Sequence, residues 1–202
     1  MVTTVRLYSR QNDKTLPMLR AKQRIINNPL YVRLHLGPDA DLFLDAYYWF
    51  TEEASKLCPK PADVKAPIWC SISESYCMRP IPGTVVYVLE VPTDQVIYFD
   101  NLRWDYVLNR IYIPQDEADQ AAYDKHIKDL GLSSPWDFFN KYPGLYPAEE
   151  DKIRRSWLRC FEVDINKLSP YQHSGNLWEI REEWVKKIVF PGQPIPKDDE
   201  RL

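Results

Sequence analysis

The 202-residue chain has few glycines, few histidines and no long apolar stretch. Its 6 glycines form no Gly-rich loop of the kind that holds a nucleotide phosphate. No apolar run reaches the roughly 18 residues that cross a membrane, and no signal peptide is recognisable. We therefore expect neither a membrane partner nor a glycine-rich phosphate site.

Metal ligands are scarce as well. The 4 cysteines lie at positions 58, 70, 77 and 160, and the 3 histidines lie at 35, 126 and 173. No two cysteines have the CxxC spacing of a zinc site, so a bound metal is not expected. Cysteines without a disulfide pattern are typical of a reducing compartment, which predicts a cytoplasmic protein with free thiols.

A strong excess of positive charge is also missing. The net charge is −3, so the chain is not expected to bind nucleic acid through bulk positive charge. Aromatic residues, in contrast, are frequent, with 7 Trp and 13 Tyr, which argues against a disordered chain. Most of these rings are expected in the core, and the others can stack on a planar ligand.

The pattern of apolar residues predicts an α+β fold with mixed, mainly antiparallel sheets and flanking helices. Alternating or β-branched segments predict strands at residues 3–9, 30–36, 67–73, 85–91, 96–99, 176–180 and 187–190. Helical spacing predicts helices at residues 18–26, 41–58, 101–111, 116–130 and 149–161. The run from 84 to 112 is the most regular part, because two strands and a capped helix follow one another there.

Residues 1–190 are predicted to form a single domain. Within it, the Pro- and aromatic-rich segment 133–148 is long for a connection, so it is a candidate lid or insertion. Residues 191–202 contain three prolines and a cluster of charges, which predicts a flexible C-terminal tail.

Polar side chains on three predicted strands form the first candidate site. They lie at the end of the opening strand, on one face of the strand at 67–73 and on the strand at 176–180: Ser9, Arg10, Gln11, Trp69, Ser71, Ser73 and Glu179. A cation, hydroxyl groups and a carboxylate on such strands could anchor a dinucleotide and stabilise a cationic ribosyl transition state. The purely structural alternatives are a surface arginine, serines bonded to the sheet and a solvent-facing glutamate.

Basic residues of the predicted helix at 149–161 form a second candidate site. Arg155 and Arg159 are four residues apart, and Lys152 lies one turn earlier. Such a stripe is typical of a solvated helix face, or it contacts a phosphate of a nucleotide or nucleic acid. Asn109, on a polar face of the helix at 101–111, is a further candidate substrate contact.

Six blocks of the chain, taken in order, resemble a bacterial protein family of unknown function. They are LYSRQ at 7–11, AYYWF at 46–50, PIW at 67–69, VLEVPTDQVIYFDNLRWDYVLN at 88–109, SWLRCFEVD at 156–164 and LWEIREEWVKKIVF at 177–190. The blocks run through nearly the whole chain, and the one at 88–109 is the most specific. This resemblance implies no activity.

The chain also resembles ADP-ribosyltransferase-like domains. LYSRQ is similar to their opening strand, PIWCS to their central strand and NLWE to the strand that carries the catalytic glutamate. The resemblance implies an ADP-ribosyltransferase-like fold with NAD as the substrate, and with Arg10 and Glu179 as catalytic residues. It also implies a set of NAD contacts, namely Ser9, Gln11, Trp69, Ser71 and Ser73. Ser9 stands where such domains usually have a histidine, and Arg10 lies beside it.

The leading hypothesis is therefore an NAD-dependent mono-ADP-ribosyltransferase that modifies a protein or a nucleic acid, as a toxin or phage-defence effector does. NAD would lose nicotinamide, and a nucleophile of the target would attack the cationic ribosyl group. An alternative is a non-catalytic module that binds a protein or a ligand through its aromatic residues. RNA binding through Lys152, Arg155 and Arg159 is a third hypothesis.

Overall fold

The strands and helices of the chain fall into two units, which a computed structural model describes at residues 3–37 and 40–200. The first unit takes the residues up to Tyr98 and from Ile165 onward, and the second unit is Phe99–Asp164. The predicted α+β class with mostly antiparallel sheets is confirmed. The boundary at residue 190 and a lid role for 133–148 stay predictions.

Three small sheets lie among the described residues. The first has the order β1-β4-β8, formed by Thr4–Asn12, Thr84–Pro92 and Val185–Val189, with both pairings antiparallel. The second pairs β2 (Arg24–Ile26) with β7 (Glu179–Arg181). The third has the order β3-β6-β5, formed by Ile68–Cys70, His173–Leu177 and Ile97–Asp100. The helices of the first unit are α1 (Thr15–Lys22), α2 (Pro29–Leu36) and α3 (Ala40–Leu57).

Strand β4 is buried on both faces. Its residues Val85, Tyr87 and Leu89 belong to the main core cluster, together with Leu7, Ile68 and Leu177. The alternate residues Val86 and Val88 pack in a second cluster with Tyr8, Val189 and Ile195. Because both faces are covered, this strand is a nearly continuous apolar run, and it is therefore well predicted from the sequence.

Gly175 brings β6 close to the main core cluster. A Cβ atom at this position would lie 3.0 Å from Val96 Cγ1 and 3.4 Å from Leu7 Cδ2. The shorter distance is well inside ordinary van der Waals contact. A glycine avoids this close contact, whereas a larger residue would require the Val96 side chain to shift by a few tenths of an ångström.

The single helix predicted at residues 18–26 is wrong. Helix α1 ends at Lys22, and Gln23 adopts a left-handed backbone with φ of 56°. Such a residue ends a helix, because the chain can no longer continue its hydrogen-bond ladder. The next residues then form β2, and Ile25 is buried in the main core cluster.

The strand predicted at residues 30–36 is also wrong, since these residues form most of α2. The side chain of Asn28 accepts a hydrogen bond from the Leu30 amide at 3.0 Å, which caps the helix. Pro29 occupies the first helical position, where its fixed φ favours a helix. These local capping signals outweigh the apolar, β-prone composition of the segment.

The second unit is helical. It contains α4 (Asn101–Leu108), α5 (Glu117–Asp129), α6 (Trp136–Asn140) and α7 (Pro147–Ser156), and the 3-10 turn Trp157–Phe161 continues α7. Asp100 and Asp116 cap α4 and α5 with their side chains. Segment 133–148 includes α6, whose Phe138 and Phe139 are buried. In the described part of the chain, no helix combines the length and the apolar character needed to cross a bilayer.

Candidate functional site

Strands β1, β3 and β6 are neighbours in the first unit. An antiparallel bridge joins β1 to the end of β3, because the amides of Tyr8 and Ser71 each donate to the other's carbonyl, at 2.9 and 2.8 Å. Strand β3 pairs antiparallel with β6, and Trp69 lies opposite Asn176. Segments that are distant in sequence therefore lie side by side in the order β1–β3–β6.

Alternation along these strands places several polar groups on one face. Tyr8 packs in the second core cluster, and Arg10 follows two residues later with the same orientation. Directly opposed residues of antiparallel strands share a face, so Ser71 lies with Tyr8, and Trp69 and Asn176 lie on that face farther along the strands. We call the surface formed by Tyr8, Arg10, Trp69, Ser71 and Asn176 the Tyr8 face.

Ser9 and Gln11 lie on the opposite face of β1. The Ser9 side chain is fully buried, and its Oγ donates to the Trp69 carbonyl at 2.9 Å. Gln11 Nε2 donates to Ser9 Oγ at 2.8 Å. Two of the predicted NAD contacts, Ser9 and Gln11, are thus in contact with each other. Their hydrogen bonds connect β1 to β3.

Asn176 is the least expected residue of the Tyr8 face. Its side chain is fully buried, and neither Oδ1 nor Nδ2 has a hydrogen-bond partner among the described residues. The ring of Trp69, on the adjacent strand, packs against Tyr47 and Phe50 of α3 with centroid distances of 5.4 and 5.3 Å. A buried donor or acceptor without a partner costs about 1–3 kcal/mol, so this position favours a bound water or a polar ligand group.

Arg10 lies next to an open pocket. Its Nη1 donates to the Arg79 carbonyl at 3.3 Å. Arg79 lines a pocket of about 280 Å³ together with Pro80, Gly192, Gln193 and Pro194. A guanidinium group carries five N–H donors. Arg10 does not itself line this pocket; it contacts the pocket wall through the Arg79 carbonyl.

The hydroxyl groups of Ser71 and Ser73 both have partners. Ser71 Oγ donates to the Ser73 carbonyl at 2.7 Å. Ser73 precedes the 3-10 turn Glu74–Tyr76, and its Oγ donates to Asp198 Oδ2 at 2.7 Å. The strand predicted at 67–73 therefore ends at Cys70 and continues as a bridge and a capped turn.

Glu179 lies on β7, in a different sheet from Arg10 and Ser71. Its side chain is only 8% exposed, with Oε2 at 2.5 Å from Arg24 Nη2 and Oε1 at 2.7 Å from Arg181 Nε. Two guanidinium groups thus neutralise this carboxylate. No contact described in the structure links Glu179 to Arg10 or Ser71.

The three predicted substrate contacts lie in the second unit, and each is bonded within it. Asn109 Nδ2 donates to the Asp105 carbonyl at 2.7 Å. Arg155 forms an exposed ion pair with Asp151 at 2.6 Å. Arg159 donates to a backbone carbonyl of the same unit at 2.6 Å. The structure does not group these three residues into one site.

Aromatic rings contact Lys152 and Arg159 of the predicted basic stripe. Lys152 Nζ lies 4.9 Å from the ring centre of Tyr123, and the Arg159 guanidinium lies 5.8 Å from that of Tyr112. The two tyrosine rings stack at 4.0 Å. In the predicted basic stripe, Lys152 and Arg159 therefore contact aromatic rings, and Arg155 contacts a carboxylate.

The four cysteines are free thiols, and three of them are buried. Burial raises the pKa of Cys70 to about 12 and that of Cys77 to about 11. Burial also raises the pKa of Cys58 and of Cys160. Among the residues that the structure describes, no three His, Cys, Asp or Glu side chains are grouped to hold a metal ion.

These raised pKa values predict slow thiol chemistry. Because the thiolate is the reactive form, we expect the folded chain at pH 8 to react with Ellman's reagent at least about tenfold more slowly than the chain in guanidinium. Cys77 should react first, since it is the least buried. Fast titration of four thiols in the folded chain would contradict this burial.

Comparison with known proteins places the chain in a family. A family model described as "Domain of unknown function (DUF3841)" matches residues 6–186. The chain belongs to this family. The predicted resemblance to a family of unknown function is thereby confirmed. No curated protein and no solved structure matches the chain.

The DUF3841 match includes the whole Tyr8 face and Glu179. The family brings no activity with it, so function has to be argued from the site itself. Two groups near the Tyr8 face were not predicted from the sequence. Asn176 carried a weak signal, as an amide at the start of the strand predicted at 176–180, whereas Asp198 carried none, because its partner Ser73 is 125 residues away.

Proposed function

We propose that the first unit binds NAD and transfers ADP-ribose to a nucleophile of a protein or a nucleic acid. One observation carries the proposal. The segments that resemble the opening and central strands of ADP-ribosyltransferase-like domains are joined by the Tyr8–Ser71 bridge, and the pairing of Trp69 with Asn176 adds the start of the third segment. This order supports a fold of the ADP-ribosyltransferase type.

The Tyr8 face offers chemically suitable contacts for NAD. Arg10 carries a positive charge beside the 280 Å³ pocket, and a guanidinium group suits a diphosphate. Trp69 lies on the same face, where its ring packs against Tyr47 and Phe50. Asn176 has one amide acceptor and one amide donor group, which match those of the nicotinamide carboxamide. Its lack of a protein partner supports a ligand with an amide group over a purely apolar one.

In the proposed reaction the bond between the nicotinamide nitrogen and ribose C1′ breaks, and its electron pair leaves with nicotinamide. The ribosyl group becomes an oxocarbenium-like cation, and the nucleophile of the target then forms a new bond to C1′ and releases its proton to solvent. Glu179 is the carboxylate proposed to stabilise the cation. Since Arg24 and Arg181 neutralise it, this role requires Arg181, which is 48% exposed, to turn toward solvent.

The paired state of Glu179 favours a second candidate function, a non-catalytic module that binds NAD or a related ligand on the Tyr8 face. A carboxylate held by two arginines contributes little field to a reacting ribose. In such a module Glu179 only connects β7 to β2, and the ligand leaves unchanged.

Adenylate-labelled NAD tests the transferase proposal. We expect NAD to bind in calorimetry, nicotinamide to be released, and label to enter an acceptor in cell extract. Glu179→Gln should lower the transfer by about 10² or more, because the charge that stabilises the cation is gone. The matched control is Glu182→Ala, since Glu182 is exposed and lies three residues away.

Three results separate the candidates. Label transfer that persists in Glu179→Gln removes Glu179 from the chemistry. NAD binding without nicotinamide release supports the non-catalytic module. Absence of NAD binding at millimolar concentration overturns both functions. Melting curves of each variant exclude unfolding as the cause of a lost signal.

A further inference from the structure

The segment Ile195 to Glu200 lies along the Tyr8 face. Ile195 is buried in the second core cluster, beside Tyr8 and Val86, and Pro196 is buried next to it. The Tyr8 hydroxyl donates to the Pro196 carbonyl at 3.3 Å. These contacts fix the beginning of the segment on strands β1 and β4.

The next residues, 197–200, are exposed and are held by hydrogen bonds instead of core packing. Arg6 Nη1 donates to the carbonyls of Lys197 and Asp198 at 3.2 Å and to that of Glu200 at 2.5 Å. Arg6 lies two residues before Tyr8 on β1, so it faces the same way. One side chain thus holds the backbone of the whole stretch.

Asp198 makes the most specific contacts of this stretch. Its Oδ2 accepts from Ser73 Oγ at 2.7 Å, and its Oδ1 accepts from the Glu74 amide at 2.8 Å. Burial raises the pKa of Asp198, but the hydrogen bonds from Ser73 and Glu74 and the charge of Arg6 outweigh it and lower this pKa. The carboxylate is therefore ionised at neutral pH, and these contacts persist there.

Two groups compete for the hydroxyl of Ser73, namely Asp198 and the proposed ligand NAD. Ser73 is one of the proposed NAD contacts, and Asp198 occupies its Oγ in this structure. Ser71 donates to the carbonyl of Ser73, so the position of the Ser73 backbone also sets that of Ser71. An anionic ligand that reaches Ser73 from the Tyr8 face must first displace the carboxylate of Asp198.

We propose that residues 197–200 are an autoinhibitory cover of the NAD site, with Asp198 as its latch and Pro196 as its fixed end. This inference rests on the proposed function, because it takes Ser73 and the Tyr8 face as the NAD site. Release requires only the hydrogen bonds of Arg6, Ser73 and Glu74 to break, since Ile195 and Pro196 keep their core contacts. Only open molecules bind NAD, so the apparent affinity for NAD equals the intrinsic affinity multiplied by the fraction of molecules that are open.

The test compares the full chain with Asp198→Ala, and Asp199→Ala is the control, since Asp199 is the exposed neighbour. A third variant ends after Pro196 and keeps the buried anchor. Hydrogen exchange of the Glu74 amide reports the latch without any ligand, because this amide donates to Asp198. Calorimetry with NAD reports the affinity.

We expect Asp198→Ala and the shortened chain to lose protection at the Glu74 amide and to bind NAD about tenfold or more tightly than the unaltered chain. Asp199→Ala should match the unaltered chain in both measurements. NAD added to the unaltered chain should expose the same amide to exchange.

Each other outcome overturns the inference. Unprotected Glu74 in the unaltered chain shows that the latch does not form. Unchanged NAD affinity after loss of protection shows that the cover does not inhibit, while the proposed function stands. If no variant binds NAD, including the shortened one, the proposed function and the cover both fail.

Discussion

Replacement of Trp157 by alanine is expected to lower the free energy of unfolding by about 3–5 kcal/mol, the largest single effect we expect in this chain. The side chain is 1% exposed and fills the interior of the second unit. Its ring stacks on Phe139 at a centroid distance of 6.1 Å, and Nε1 donates to the Ile111 carbonyl at 2.8 Å. The variant therefore loses the buried ring and leaves a partly buried carbonyl without its donor.

Urea unfolding followed by circular dichroism measures this loss. Leu158→Ala is the matched control, because Leu158 is the next residue and is 45% exposed, so we expect a change within about 0.5 kcal/mol. Trp157→Phe keeps an aromatic ring and should fall between the two. Equal stability of Trp157→Ala and Leu158→Ala would show that the second unit is not packed around Trp157.

Replacement of Glu179 by alanine is expected to cost about 2–3 kcal/mol. Loss of one partner from a fully buried ion pair typically costs about 3–5 kcal/mol, because a charge is left uncompensated. The effect should be smaller here, since the Arg24 and Arg181 side chains are 33% and 48% exposed and regain water. Arg24 also keeps its hydrogen bonds to Asp63.

Denaturant unfolding of Glu179→Ala and Glu183→Ala checks this expectation. Glu183 also faces Arg181, at 3.7 Å, but its side chain is 70% exposed. Its removal should change stability by no more than about 0.5 kcal/mol. If the two variants unfold alike, the Glu179 pairs do not stabilise the link between β2 and β7. The comparison also tells whether a loss of transferase activity in a Glu179 variant has a structural origin.

Much of the fold could be predicted from short stretches of the sequence. The predicted strands at 3–9, 85–91 and 96–99 match β1, β4 and β5 apart from a few residues at their ends. The helix predicted at 116–130 matches α5, and Asp116 is its cap. These elements succeed because their signals, a side-chain oxygen at a helix start or an uninterrupted β-branched run, act within a few residues.

The two failed predictions have different causes, one local and one distant in sequence. Residues 30–36 have the composition of a strand, yet Asn28 and Pro29 start a helix there. Residues 18–26 contain a helical pattern, yet Ile25 pairs with Ile180 in a sheet. In the second case the deciding partner lies far away in sequence, and no reading of the segment alone reveals it.

The candidate site, too, was predicted in part from the sequence and in part decided by the tertiary structure. The sequence alone predicted the α+β class and the family of unknown function. It also indicated polar or aromatic groups on predicted strands, namely Arg10, Trp69, Ser71 and Glu179. The tertiary structure alone decided what each of them contacts. It placed Arg10, Trp69 and Ser71 on one face, paired Glu179 with Arg24 and Arg181, and brought Asp198 onto Ser73. The physical reason is that propensity and capping depend on near neighbours, whereas burial, ion pairing and unpaired groups such as the Asn176 amide depend on partners that only folding brings together.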